Sequence, residues 1–411
     1  MRILFLQNYL KIVGGTESYA HDVCQLLRNR GHDVLVLTRM DQHSLDPIDD
    51  ATSILTGNKN DTFDCSVQLL DLMEDFQPDI VHTHHPVSLE LAREILARTP
   101  LINHIHVHTG YCATGTKYLT RGNNICTHSL SPACLSHMLI DRCGSRRPKQ
   151  MVLNYRRALE HHAVQRLCPF HLVPSHYIKD LLVASGIEAE KVGVLPPYFA
   201  HHSLIPPSHL QVPKESSLVL IVARLVENKG VHDAIQSLVN VSNPCRMVII
   251  GDGHYRQQLE QLATAIIAHR PDHEILFTGW LNKEQIDEWY RKAAIVVFPS
   301  RVPESFGIVG PEAMSHGCAV IGTRVGGVPE WLSDGETGFL VKSGSPESLA
   351  ERIDLLLSDP SLARRIGEAG YSRVATCYTE DLHYNQLIAL YRGAKKFWTG
   401  DTDQHLSISP V

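Results

Sequence analysis

One rhythm governs this chain and occurs on both sides of a proline-rich break: a short apolar run, a tight turn, then text with helical spacing. "RILFLQ" opens it, and "ESYAHDVCQLLRNRGH" follows with Tyr19, Val23, Leu26 and Leu27 at helical intervals and Gly31 as the stop. "DVLVLTR", "PDIVHTH", "LINHIHVH" and "HLVPS" are further short runs separated by helical stretches. Runs apolar on both faces and joined by helices read as strands of a parallel sheet with crossover connections. The break is "LPPYFAHHSLIPPSHLQVPKESS", residues 195–217, where five prolines forbid a continuous helix or a central strand. Beyond it come five more runs, "SLVLIVAR", "RMVIIGDG", "EILFTGW", "AIVVFPS" and "CAVIGTR", with helical text such as "HYRQQLEQLATAIIAH" and "EQIDEWYRKA" between them. At 411 residues two hydrophobic cores are expected rather than one. The reading is an α/β chain with two doubly wound domains, residues 1–198 and 217–378, joined by a linker at 199–216. Residues 379–411 carry a last helix, "DLHYNQLIALYRGAKKFW", expected to return towards the N-terminal domain, and a polar tail.

Composition narrows the function. Apolar residues make up 43% and charged residues 20%, as in an ordinary globular protein. The net charge of -6 gives no support to a nucleic-acid partner. Arg142, Arg146, Arg147, Lys149, Arg156 and Arg157 form a local basic stretch, read as a solvated face or as contact with an anionic acceptor or membrane surface. The N-terminus lacks an export signal and no apolar run approaches a membrane span of ~18 residues, so a cytoplasmic chain is expected, with peripheral contact at the inner face of the membrane as its extension.

Doubly wound sheets bind ligands at the carboxyl ends of their strands, so the turns that follow strands come first. After "AIVVFPS" the chain reads "RVPESFGIVGPEAMSHG", with Glu304 before an expected helix start near Phe306 to Pro311 and Glu312 inside its first turns. Pro311 suits a first helical turn and Gly317 a helix stop. Free N–H groups there favour an anion, and two carboxylates can accept hydrogen bonds from the hydroxyls of a sugar or ribose. The alternative is that both acids merely favour the helix dipole, but the Gly-Pro framing and the position after a strand favour a functional role. "LVLIVAR" leads into "LVENKGV", placing Arg224 and Lys229 where two cations could hold a diphosphate. Gly14 and Gly15 open the first helix and permit close approach to a phosphate, or simply make a tight turn. In "NHIHVHTG" the period of two puts His104, His106 and His108 on one face of a strand, with at least one expected to reach the crevice.

"ESFGIVGPEAMSHGCAVIGTRVGGVPEWLSDGETGFLV" and "VARLVENKGV" resemble the C-terminal domain of the retaining group 1 glycosyltransferases (family 4), and "GGTESYAHDVCQLLRNRGHDVLVLT" resembles their N-terminal loop and first helix. The resemblance implies the GT-B fold, two Rossmann-like domains facing a central cleft. It places the donor sugar beside Glu304, sugar hydroxyls and phosphate on the N–H groups around Phe306, Gly307 and Ile308, and ribose on Glu312. Arg224 and Lys229 correspond to the cations on the donor diphosphate, Gly15 to the loop that approaches it, and His106 to the histidine near the scissile bond. Val107 departs from the Asp that follows that histidine in many members. The implied reaction moves a sugar from a nucleoside diphosphate sugar, uridine being the base expected on family frequency, to a glycan, lipid-linked or small-molecule acceptor, without a catalytic metal or other cofactor. A role in polysaccharide biosynthesis follows by the same route, with the acceptor set by loops in residues 40–190.

Cys112, Cys126, Cys134 and Cys143 fall within 32 residues rich in Gly, Thr, Asn and Ser. Structural zinc on four thiolates, or on three with His137, is one reading; free thiols and disulfides are the others, since gaps of thirteen, seven and eight residues lack paired C-x-x-C knuckles. Rival functions are a non-catalytic sugar-nucleotide binder, separable only by turnover, and a metallohydrolase suggested by the 25 histidines. A nicotinamide-dependent oxidoreductase is disfavoured because neither domain has G-x-G-x-x-G with an acid about 20 residues on.

Overall fold

The protein is described from a computed structural model that covers residues 1–7, 15–39, 51–54, 67–199 and 214–400. The chain divides into two compact units: residues 1–197 with 381–411, and residues 198–380.

In the first unit the elements run β1 (Arg2–Gln7), α1 (Gly15–Asn29), β2 (Asp33–Arg39), β3 (Ala51–Ile54), α2 (Val67–Phe76), β4 (Ile80–Thr83), α3 (Leu89–Leu96) and β5 (Leu101–His104). There follow β6 (Tyr118–Leu119), β7 (Asn124–Ile125), α4 (Ala133–Ile140), α5 (Pro148–Leu167), β8 (Phe170–Val173), α6 (His176–Ala184) and β9 (Val192–Val194). Seven strands form one sheet in the order β3-β2-β1-β4-β5-β8-β9, parallel throughout. Ile3, Leu4, Phe5 and Leu6 are wholly buried, as a strand covered by helices on both faces requires. The chain reverses its direction of winding between β1 and β4.

The second unit runs β10 (Glu215–Val222), α7 (Val231–Ser237), β11 (Arg246–Ile250), α8 (Arg256–His269), β12 (Glu274–Gly279), α9 (Lys283–Lys292) and β13 (Ala293–Phe298). It continues through α10 (Val309–Ser315), β14 (Ala319–Thr323), α11 (Val328–Trp331), β15 (Phe339–Val341), α12 (Pro346–Ser358) and α13 (Pro360–Cys377). Its six-stranded sheet has the order β12-β11-β10-β13-β14-β15 and places the switch between β10 and β13. Separate apolar clusters fill its two faces, one around Ile221, Ile249 and Ile295, the other around Trp331, Met314 and Val320. The last helix, α14 (Glu380–Thr399), belongs from Asp381 onward to the first unit, where the Tyr391 hydroxyl meets His82 Nδ1 at 2.7 Å and Lys395 pairs with Asp79 at 2.9 Å.

Some sequence expectations need correction. Strands β3, β9 and β15 are additional to the runs singled out above. The expected linker, 199–216, is folded at both ends: Phe199 is buried against Tyr378, and β10 already begins at Glu215. Residues 200–213 between them lie outside the described residues. The helix expected to start between Phe306 and Pro311 begins at Val309, after Gly307 at φ 88°, a value that no helix contains. The strand carrying His104 ends there, so His106 and His108 are not part of it.

Candidate functional site

In the second unit three connections converge at the carboxyl end of β10. Gly251, at φ 132°, lies so close to the loop after β10 that a Cβ there would stand 1.9 Å from the Ala223 carbonyl oxygen. Gly253 bears on Leu225 in the same way, and Leu225 N–H donates to the Asp252 carbonyl at 2.9 Å. The loop bearing Arg224 and Lys229 is thus pinned from the β11 side. From the β13 side, Gly230 at φ 68° approaches the Pro299 carbonyl, Arg301 N–H donates to the Asn228 carbonyl at 2.9 Å, and the Arg301 guanidinium grips the buried Asp233 carboxylate at 2.5 and 2.7 Å.

This stitching brings Lys229 and Glu304 together. Lys229 Nζ lies 2.7 Å from Glu304 Oε1, and the Ser300 hydroxyl donates to the same oxygen at 2.6 Å. The pair is largely shielded, with side-chain exposures of 24% and 14%, so its attraction is screened less than that of a surface pair. The Glu304 backbone is fixed too: its carbonyl accepts from Gly327 N–H at 2.8 Å, and Gly326, at φ 55°, leaves room that any side chain would close. Phe306 to Ile308 are laid over Trp331, whose Nε1 donates to the Phe306 carbonyl at 2.6 Å, while Gly310 admits the indole ring. Glu312 sits half-buried in the first turn of α10, and Arg224 stands exposed just past β10. The site therefore joins Lys229, Glu304 and the 306–312 connection at one sheet end. Ser300, Asp233, Arg301 and the Gly326–Gly327 pair belong to it as well. Of these only the "VGG" of 325–327 carried a signal in the sequence, as a Gly pair following a strand.

At the corresponding end of the first unit's sheet lies a stack of imidazoles. His82 and His84 come from β4 and its end, His104 and His106 from β5 and the residues beyond. Ring centroids are 4.2 Å apart for His104 and His106, 4.5 Å for His82 and His84, and 5.0 Å for His84 and His106. His82 Nε2 meets His104 Nδ1 at 3.2 Å, and His84 Nδ1 meets His106 Nε2 at 2.8 Å. Tyr19 of α1 sets its ring edge-on to His84, His104 and His106. Its hydroxyl reaches His383 Nε2 at 3.2 Å. Because His383 Nδ1 donates to the Pro196 carbonyl at 2.9 Å, Nε2 is the acceptor and the tyrosine the donor. Burial, then the neighbouring imidazoles, pushes His82 down to about 3, and His84 and His104 lie well below the ordinary range for the same reasons. Burial, then His85, lowers His106 likewise. The stack is neutral at physiological pH. A cavity of about 180 Å³ opens beside it, lined by Thr83, His84, His85, Asn103, His106 and Gln165 among others.

His104 and His106 thus share one side, whereas His108 turns away to meet the Tyr111 hydroxyl at 3.0 Å, which corrects the expectation of a common face. Gly15 is the first residue of α1, exposed; Gly14 lies outside the described residues. Among the described residues His82, His84 and His104 form the one group of three or more potential ligands whose donor atoms all lie within 4.8 Å. No such group is formed by Cys112, Cys126, Cys134 and Cys143, which line a separate small cavity with His128 and His137.

Two family models match the chain, Glycosyltransferase Family 4 over residues 13–199 and Glycosyl transferases group 1 over residues 207–373. The chain belongs to the group 1 glycosyltransferases. The sulfoquinovosyl transferase of Arabidopsis thaliana is 29% identical over 251 residues, 56% of this chain and 48% of that protein. The alpha-D-kanosaminyltransferase of Streptomyces kanamyceticus is 33% identical over 178 residues, 43% of this chain and 45% of that protein. The chain therefore matches about half the length of these curated relatives. Among solved structures, Anabaena HepE in complex with UDP superposes with a TM-score of 0.68 at 20% identity, covering 94% of this chain and 98% of that one. A likeness at that level establishes the fold, and two parallel α/β units in one such chain make the GT-B fold.

Proposed function

We propose that this group 1 glycosyltransferase moves a sugar from a uridine diphosphate sugar to a hydroxyl of a glycan, lipid-linked or small-molecule acceptor, with retention of configuration and without a catalytic metal. The observation that carries the reading is the shielded Lys229–Glu304 pair at the switch point between β10 and β13. Breaking the bond from the anomeric carbon leaves its electron pair on the diphosphate, so the growing negative charge is the main thing to be stabilised. Lys229 and Arg224 supply fixed positive charge, and N–H groups of Phe306, Gly307 and Ile308 supply donors without an ion. Glu304 orients the sugar, Glu312 holds the ribose hydroxyls, and Gly14 and Gly15 let the backbone approach the diphosphate. The acceptor oxygen bonds to the anomeric carbon on the face that the diphosphate leaves, and its proton passes to the departing phosphate. His106, which lines the 180 Å³ cavity and which burial keeps neutral, acts as the hydrogen-bond partner near the breaking bond without adding charge.

Solved relatives support the donor class: HepE has been captured with UDP and with UDP-glucose. A polysaccharide pathway is in keeping with relatives such as the capsular polysaccharide glycosyltransferase CapM of Staphylococcus aureus. No helix among the described residues is long and apolar enough to cross a membrane. Peripheral contact of a cytoplasmic enzyme is supported by Leu139, Ile140, Val152 and Leu153, exposed in the same stretch of chain as the basic residues Arg142, Arg146, Arg147 and Lys149. The deciding experiment incubates purified chain with UDP-, GDP- and ADP-sugars and reads thermal stabilisation and diphosphate release, with and without EDTA. A donor at about 100 times its dissociation constant adds about 2.7 kcal/mol. Stabilisation without turnover over a broad acceptor panel would leave a binding protein, and neither would end the proposal.

A further inference from the structure

The segment between β5 and α5 has little regular structure and a small apolar cluster of its own, although Ile105 and Tyr111 at its start pack against α6 and β8. Over some forty residues it has two strands of two residues each and one eight-residue helix, α4. Its apolar cluster contains four buried side chains, Ala113, Met138, Met151 and Ala158, two of which α5 contributes. A piece of this size with so small a core ordinarily depends on a disulfide or a metal. Four cysteines from four different places converge on one cavity in it: Cys112 after β5, Cys126 after β7, Cys134 on α4 and Cys143 beyond α4. None of the four is joined in a disulfide in this structure.

The surroundings are those a thiolate cluster needs. Cys112 Sγ accepts from Lys117 N–H at 3.4 Å and lies 3.5 Å from the Thr114 hydroxyl, a turn that cradles sulfur with donors. The turn closes through Cys126 N–H, which donates to the Lys117 carbonyl at 2.7 Å and so ties the second cysteine to the first. His137, one turn beyond Cys134 on α4, has its Nδ1 held by Asp141 at 2.6 Å, which leaves Nε2 to face other partners.

We propose that Cys112, Cys126, Cys134 and Cys143 bind one zinc ion that staples this segment to the first unit. No three of these sulfurs yet stand within 4.8 Å of one another, so binding requires rotation about their Cα–Cβ bonds. Binding exchanges thiol protons for metal, with no change in oxidation state. We name zinc because four thiolates are a donor set that structural zinc sites use, whereas calcium takes oxygen ligands.

The full chain, purified under reducing conditions without chelator, should carry about one zinc per chain by mass spectrometry of the metals. Titration with a mercurial should release it in step with four thiols. Cobalt substituted for zinc should show thiolate charge transfer and the visible bands of a tetrahedral site. Cys126→Ser should lower bound zinc at least tenfold, whereas Cys377→Ser, outside the segment, should leave it unchanged. Since the wild-type zinc content needs no variant, poor folding of a cysteine mutant does not blunt the test. Metal-free protein with freely reactive thiols, cysteines paired in disulfides, or iron in place of zinc would each overturn the proposal.

Discussion

The two sheets share one topology at their switch points and use it in opposite electrical ways. In the second unit the loops after β10 and β13 place Lys229 against Glu304 and Arg301 against Asp233, charged partners shielded from water. In the first unit the ends of β4 and β5 present imidazoles that burial keeps uncharged. A departing diphosphate needs fixed charge, whereas an incoming hydroxyl needs hydrogen-bond partners that add none. Topology thus chooses where a ligand can sit, and the side chains set the charge that it meets there.

The sharpest way to break this contrast is Lys229→Ala. It should lower turnover at least about a hundredfold, about 3 kcal/mol, with a smaller loss of donor affinity. Steady-state kinetics and donor titration together read the difference, and unchanged turnover would remove the charged half of the comparison. The neutral half is tested by acid. Imidazoles held below their unfolded value of about 6.5 stay neutral in the folded chain while the unfolded chain takes up protons. Stability is therefore undiminished above about pH 6.5 and falls between there and about pH 3, by about 1.4 kcal/mol per pH unit for each such group. Urea unfolding from about pH 7 to about pH 5 should show a steeper slope for wild type than for His82→Asn. Equal slopes would mean that His82 takes up a proton as readily in the folded chain as in the unfolded one. Next in size, Glu312→Ala should weaken donor binding about tenfold, the loss of a charged acceptor to two hydroxyls. Last, Tyr391→Phe removes the hydroxyl on His82 and should cost about 1 kcal/mol in thermal unfolding with little change in donor affinity.

The parallel sheets were legible because their strands are apolar on both faces, as "LVLIV" and "AIVVF" show. The short strands β3, β9 and β15 were not, since three or four residues such as "VGV" carry no period of their own. Lys229 and Glu304 were visible as charges in turns after strands, but their meeting depends on Gly230 and Gly251, whose close backbone approaches only coordinates reveal. His106 could be named, yet its stacking on His84 could not. The two lie 22 residues apart, each beyond the end of its strand, and become neighbours through the backbone path after the paired strands β4 and β5. Phe199 hid among prolines, where an aromatic packed on Tyr378 resembles linker text.

The placement of α14 has a consequence for biosynthesis. Strand β4 precedes the second unit in the chain, but the tyrosine that hydrogen-bonds its His82 follows that unit, 309 residues after the histidine, so the first-begun unit lacks this partner until the second has been made. The later-encoded unit, residues 198–380, is contiguous in sequence and is complete before Tyr391 is added. A nascent chain halted after residue 380 should therefore hold a finished second unit and an N-terminal one with its imidazoles uncovered, a substrate for chaperones rather than for sugar transfer.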